Sequence, residues 1–308
     1  LVLKRAVDPG AIDDATAIYT RIIDDEKAKN SGGGDHFAKP GANDRVWNSL
    51  QKLCIADPGV FARYFGAPSI DAVSEAWLGP GYQMTAQVNL VRPGGSAQAP
   101  HRDYHLGFMD VEKAAAFPAH AHRLSPVLTL QGAVAHCDMP VASGPTKLLP
   151  FSQLYGPGYL ACLLPAFRDY FEAHCIQLPL EKGDAVFFNP AVFHAAGDNR
   201  TTDIQRMANL LQVSSAMGRA TEAVDRVAMV RALYPVLAGT AIAPAERAAA
   251  IAAAAEGYAF PTNLDTDPPA GGLAPETMAA MMVRMLGAGD PTVAFDAALD
   301  AWAVRRAP

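Results

Sequence analysis

The chain has 308 residues, half of them apolar and 18% charged. That is the make-up of a protein with one large core, since single cores seldom grow past about 250–300 residues, and it excludes a disordered chain. Acidic residues outnumber basic ones by 31 to 25, for a formal net charge of −6. With no Lys/Arg cluster, this excludes a nucleic-acid backbone or an anionic membrane as partner. No apolar run approaches the roughly 20 residues of a bilayer span, and Leu1 to Pro9 carries Lys4, Arg5 and Asp8 without a signal-peptide pattern, so a cytoplasmic location is expected. Cys54, Cys137, Cys162 and Cys175 lie far apart, which suits reduced, buried small hydrophobes better than a disulfide scaffold or a zinc knuckle.

In chain order, Asp8-Pro9 starts a helix whose apolar stripe runs through Ile12, Tyr19, Ile22 and Ile23 and stops at the Asn30 to Gly34 run. That glycine-rich stretch and the segment from Pro40 to Asn43 predict a mobile loop. Val46, Leu50, Leu53 and Cys54 then set a second helix ending near Ala56. From Tyr82 to Arg92 the period changes to two: Gln83, Thr85, Gln87 and Asn89 face one way, Met84, Ala86, Val88 and Leu90 the other, which predicts a strand with a polar face. Further strands are expected at Val127 to Cys137, Ile176 to Leu180, Ala185 to Asn189 and Met207 to Ser215. Several short strands separated by turns point to a sandwich or barrel, and a jelly roll offers a mouth where several strands converge. After Gly218 the pattern becomes helical: residues 248–255 hold seven alanines, and Met278, Met281, Met282, Met285 and Leu286 form a stripe suited to core packing. Between them the Phe260 to Gly272 stretch, rich in proline, is a loop of a length often used for lids. The fold class expected is therefore mainly β with helices, in one domain: an N-terminal helical part (1–79), a jelly-roll core (80–216) and a C-terminal helical extension (217–308). The last either caps the barrel or forms a homodimer contact.

The sharpest local feature is His101-Arg102-Asp103. In extended backbone, residues i and i+2 project to one side, so an imidazole and a carboxylate are presented together. His194, following the strand that ends near Asn189, supplies a second imidazole. Two imidazoles and one carboxylate leave up to three open positions on an octahedral ion, the arrangement of non-haem iron(II) oxygenases. Arg206, at the start of the last strand, can pair bidentately with a carboxylate across the site. Arg200 is the alternative anchor, but it falls in the Gly197-Asp198-Asn199 turn. His120-x-His122 has no carboxylate beside it and reads as an ordinary loop pair.

In order, Gln98-x-x-His101-x-Asp103, Ser143-Gly144-Pro145-Thr146, Gly183-Asp184, His194 and Arg206 resemble the phytanoyl-CoA dioxygenase family over residues 80–216. The resemblance implies an iron(II)- and 2-oxoglutarate-dependent dioxygenase on a double-stranded β-helix, a jelly-roll and cupin-like variant. His101, Asp103 and His194 would be the iron ligands. Arg206 would anchor the far carboxylate of 2-oxoglutarate, with Asn89 and Thr146 touching the same co-substrate and O2 completing the reactants. The chain departs from the family at Phe151 and Gln153, where Pro-Gly-Ser-His is common, and at Ala196, where a hydroxyl residue is common. Asp103 also separates it from halogenating relatives, in which a halide takes the carboxylate's place, so hydroxylation of a small or medium-sized metabolite is expected. The alternatives are an acyl-CoA hydroxylase and a cupin-like metalloenzyme that does not use 2-oxoglutarate. Gln87, Arg102, Tyr104, His105 and Gln131 are candidates for orienting the substrate by position alone.

Overall fold

The alternation between Tyr82 and Arg92 organises the molecule. The computed structural model describes residues 1–29, 42–96, 98–239 and 241–307. Among them, strands β1 (Val2–Leu3), β2 (Asn43–Val46), β3 (Gln83–Val91), β4 (Thr129–Ala135), β5 (Lys147–Leu148), β6 (Ile176–Gln177), β7 (Ala185–Phe188), β8 (His194–Ala195) and β9 (Arg206–Ser214) form two sheets. The larger has the order β1-β7-β4-β9-β3-β2 and the smaller β6-β5-β8, and the pairings in both are antiparallel.

Period-two alternation divides the large sheet into two faces. Met84, Ala86 and Val88 of β3, Leu130 and Val134 of β4, and Met207, Leu211 and Val213 of β9 belong to the main apolar core. Their neighbours Gln87, Asn89, Gln131, Ala133, Arg206, Ala208, Leu210 and Gln212 line a cavity. The polar face of β3 is thus the inner one. The smaller sheet supplies Leu148, His194 and Ala195 to the cavity wall.

Helices back the apolar face. They are α1 (Pro9–Ala28), α2 (Ser49–Ala56), α3 (Pro58–Phe65) and α4 (Pro68–Leu78) before β3, and α9 (Arg226–Gly239), α10 (Pro244–Ala254), α11 (Met278–Ala288) and α12 (Thr292–Arg306) after β9; α5 (Val111–Ala115), α6 (Ala119–Leu124), α7 (Gly158–Ala161) and α8 (Pro165–His174), between them in sequence, put no described residue into the main apolar core. Asp8 caps α1 by accepting from the Ala11 amide, and Pro9 occupies the first turn, where a missing N–H costs nothing. Met278, Met281, Met282 and Met285 are all in the core. Arg226 stitches the C-terminal helices to the sheet: its guanidinium donates to the carbonyls of Met84 (3.1 Å), Ala253 (3.2 Å) and Ala254 (3.3 Å).

Several expectations change. Helices hold more residues than strands, so the chain is a mixed helix-and-sheet protein with antiparallel sheets where a mainly β one was expected; the strands of the smaller sheet are only two residues long. Val46, assigned to the second helix, closes β2, because the edge of β3 offers Asn43 to Val46 a pairing partner that no alternation announces. The mobile loop expected from Asn30 lies, over residues 30–41, outside the described residues, whereas Asn43 is already strand. The Ala119–Leu124 segment holding His120 and His122 is helical, not loop. The Phe260 to Gly272 loop lines no part of the cavity. Asn263 and Thr266 instead donate to the carbonyls of Ala307 and Arg305 (both 2.6 Å), pinning the loop to the end of α12. Among the described residues no helix is long and apolar enough to cross a membrane.

Candidate metal and co-substrate site

His101 and His194 face each other because their backbones form a reciprocal bridge: each amide donates to the other's carbonyl, at 3.0 and 3.1 Å. This sets the two ring centroids 4.5 Å apart. Asp103, two residues on in extended chain, returns to the same side. His101 Nε2 lies 3.5 Å from Asp103 Oδ1, and His194 Nε2 lies 3.4 Å from Oδ2. One ligand atom from each of the three residues falls within 4.8 Å of the others, and among the described residues no other group of three His, Cys, Asp or Glu does so.

The ring tautomers suit a metal. Nδ1 of His101 is 2.8 Å from the Ala99 carbonyl, and Nδ1 of His194 is 2.8 Å from the Val192 carbonyl. A carbonyl only accepts, so each Nδ1 carries a proton and each Nε2 is the nitrogen turned to the shared point. Burial, reinforced by His194 alongside, pushes the His101 pKa down and keeps the ring neutral. Burial alone would raise the Asp103 carboxyl, but its contacts with His194 and His101 and the Gln131 amide outweigh that and hold it well below the usual carboxylate range. Two imidazoles and a carboxylate are the donor set an octahedral divalent iron accepts with positions to spare.

Arg206 opens β9 and reaches into the same cavity. It is buried, and its Nη1 donates to the carbonyls of Ser143 (3.1 Å) and Gly197 (3.2 Å). Gly144 makes this cradle: it sits at φ +75°, and a Cβ there would lie 2.4 Å from the Asp198 carbonyl, so only glycine lets the two turns close on the guanidinium. Burial pushes Arg206 down to about 10, and among the described residues no carboxylate forms an ion pair with it. A buried cation whose hydrogen bonds go to carbonyls, with Asp198 acting on it only through space, suits an anionic ligand. Arg200, the alternative anchor, is exposed and does not line the cavity. Asn89 and Thr146 do line it, and Asn89 Oδ1 is buried with no hydrogen-bond partner among the described residues.

The five substrate candidates separate. Gln87 lines the cavity and accepts from Arg45 Nη1 at 3.0 Å. His105 also lines it, its Nδ1 2.9 Å from Ser125 Oγ. Gln131 lines it with its amide turned onto Asp103. Arg102 does not face it: between His101 and Asp103 it must project to the opposite side, where its guanidinium donates to the Ser152 and Tyr155 carbonyls (2.5 and 3.0 Å) and lies over the Tyr159 and Phe193 rings. Tyr104 is fully buried, outside the cavity lining. Gln212, Arg45 and Glu222 are among the lining residues that the sequence candidates leave out. Gln212 could have been found from the alternation that begins at Arg206, whereas Arg45 and Glu222 lie in segments without a periodic signal. Asp184 of the Gly183-Asp184 motif is structural: it accepts from Lys4 Nζ (2.5 Å) and from the amides of Arg5 and Glu181.

Such a wall, with a two-histidine, one-carboxylate donor set beside a buried arginine, has the composition of a mononuclear non-haem metal site. A profile of the phytanoyl-CoA dioxygenase (PhyH) family matches residues 1–208. The chain belongs to this family, whose metal and co-substrate are iron and 2-oxoglutarate. The match takes in the N-terminal helices and ends inside β9. The chain is 24% identical over 212 residues to the dioxygenase trt7 of Aspergillus terreus (strain NIH 2624 / FGSC A1156), an alignment covering 67% of this chain and 66% of that protein, so it spans just under two thirds of that relative's length. Among solved structures it is similar to the non-haem alpha-ketoglutarate-dependent epimerase SnoN from nogalamycin biosynthesis (22% identity, TM-score 0.44, 70% of this chain and 77% of that one). It is also similar to SnoN in complex with Fe3+, alpha ketoglutarate and nogalamycin RO (21%, TM-score 0.47, 70% and 78%).

Proposed function

We propose that this protein is an iron(II)- and 2-oxoglutarate-dependent dioxygenase that hydroxylates a C–H bond of a small or medium-sized organic metabolite, working on a double-stranded β-helix made by the two antiparallel sheets. The carrying observation is that His101, Asp103 and His194 bring three ligand atoms within 4.8 Å of one another on a cavity wall that also holds Arg206. Bound iron with 2-oxoglutarate and O2 supplies the oxidising chemistry, in which substrate C–H, 2-oxoglutarate and O2 become C–OH, succinate and CO2.

The chain's own residues bind and orient. His101 and His194 offer Nε2, Asp103 offers its carboxylate, and the Arg206 guanidinium meets the far carboxylate of 2-oxoglutarate. Asn89 and Thr146 stand beside it as further polar contacts. Ala133, Ala135, Met139, Leu180 and Val186 form an apolar lining that keeps water from the co-substrate. The cavity, of about 880 Å³, is at the upper end of the range for small-molecule sites, which suits a co-substrate and a metabolite held together. Retention of Asp103, an ionised ligand in the position a halide would need, favours hydroxylation.

The test is succinate formation from 2-oxoglutarate with iron(II) across a panel of metabolites. Stimulated release is expected in the wild type and a loss of more than about 100-fold in Asp103→Ala, since even outer partners of metal ligands are worth 10–100-fold. Unchanged release in Asp103→Ala would overturn the proposal.

A further inference from the structure

We infer that Gln131 is a positioning residue for the Asp103 carboxylate, the inner half of a two-glutamine clamp closed by Gln212; this rests on the metal-site reading above. The strand register puts Gln131 of β4 directly opposite Gln212 of β9, both on the cavity face, and directly opposed residues of an antiparallel pair have side chains within touching distance. Gln131 Nε2 donates to Asp103 Oδ2 and also to Gln212 Oε1, the latter at 3.2 Å. Both hydrogens of one NH2 group are therefore committed, one to the carboxylate and one to the neighbouring amide.

The direction of the amide follows from chemistry. An ionised carboxylate only accepts, so Gln131 must present nitrogen to it. Turned over, Gln131 would set its own oxygen against the carboxylate and lose both bonds. Gln131 Oε1 is instead buried with no hydrogen-bond partner among the described residues. That is a cost the site accepts to keep the donor on Asp103.

The rest of Asp103 is already fixed. Its amide donates to the Pro190 carbonyl (3.2 Å), and its carbonyl accepts from Tyr159 Oη (3.2 Å). What the backbone leaves free is rotation of the carboxylate, and Gln131 removes it. The amide also distinguishes the two oxygens. Oδ2 is held, while Oδ1, on the His101 side, has no amide donor and keeps both lone pairs. Gln131 thereby presents Asp103 as a one-oxygen ligand, which preserves open positions on the metal.

Co(II) titration of the metal-free protein, followed by calorimetry and by the visible d–d spectrum, tests this without turnover. Gln131→Leu is expected to weaken Co(II) binding about 10–100-fold and to alter the d–d spectrum, which a purely structural residue would leave unchanged. Gln212→Leu, removing one neutral bond from the clamp, is expected to weaken it about fivefold. Gln131→Met, closer in length, takes the place of Gln131→Leu if melting curves show the latter unfolded. If Asp103→Ala abolishes Co(II) binding while the Gln131 variant binds with wild-type affinity and spectrum, the clamp is overturned and the metal site stands. If Asp103→Ala binds Co(II) like the wild type, the metal site falls and the clamp with it.

Discussion

The two faces of the six-stranded sheet use the same strands for opposite ends. On β9, Met207, Leu211 and Val213 are buried against helices, while Arg206, Ala208, Leu210 and Gln212 look into the cavity. One face is mostly apolar, with Asn209 of β9 held among its apolar neighbours by the Ser49 hydroxyl, and gains from removing apolar surface from water. The other keeps an arginine, amides and, through the neighbouring segments, imidazoles and a carboxylate out of bulk solvent, which is tolerable only because each has partners or awaits a ligand. Stability and chemistry are thus separated by one residue along the chain, and substitutions at adjacent positions should have unlike consequences.

The largest contrast is expected between Arg206 and Leu211. Arg206→Leu should weaken 2-oxoglutarate binding by about 100-fold or more, the scale of a broken buried charge pair, read as an apparent Kd. Leu211→Ala should instead cost about 2–5 kcal/mol of unfolding free energy in urea with little change in 2-oxoglutarate affinity. Similar affinity losses in both variants would break the division. The His101–Asp103 segment carries a smaller version of it, since Arg102 turns away from the site. A Cβ at Gly158 would fall 1.8 Å from Arg102 Cζ, so Gly158→Ala should cost about 1–3 kcal/mol by overpacking. A melting curve measures that, and metal affinity should stay close to wild type.

A third contrast, conditional on pH, concerns His136, a polar group on the helix side. Its Nδ1 and Nε2 each meet a hydroxyl at 2.8 Å, Thr16 Oγ1 and Tyr64 Oη, and burial pushes its pKa down to about 3. The unfolded ring takes a proton near 6.5, so the contribution is full above that pH and is lost as pH falls toward 3, with a slope of about 1.4 kcal/mol per pH unit. Urea midpoints between pH 7.5 and 5 should fall less steeply in His136→Gln than in the wild type; parallel slopes would refute the assignment.

How much of this was legible follows from how local each signal is. The His101–Asp103 pair is readable because extended backbone alone places both side chains together, and the β3 alternation predicts both its buried and its cavity residues. Arg102 and Tyr104 were misplaced by nearness in sequence, although the same alternation excludes Arg102. β2 was missed because Asn43-Asp44-Arg45-Val46 is strand only through its pairing with β3. Gln131 is a candidate from its place on the next strand alone, and its contact with Asp103 depends on a tertiary approach that no spacing encodes. The helical character of residues 119–124 and the pinning of the 260–272 loop are likewise decided by packing.

The three carbonyls gathered by Arg226 have a consequence for the last ninety residues, which lie beyond the segment matched by the family profile. Strand β3 and helices α9 and α10 share one guanidinium, so a protein trimmed back to the matched region would lose most of β9 and leave Met84, Ala86 and their apolar neighbours on β3 bare to water. The helices beyond the matched segment are a wall the sheet cannot do without.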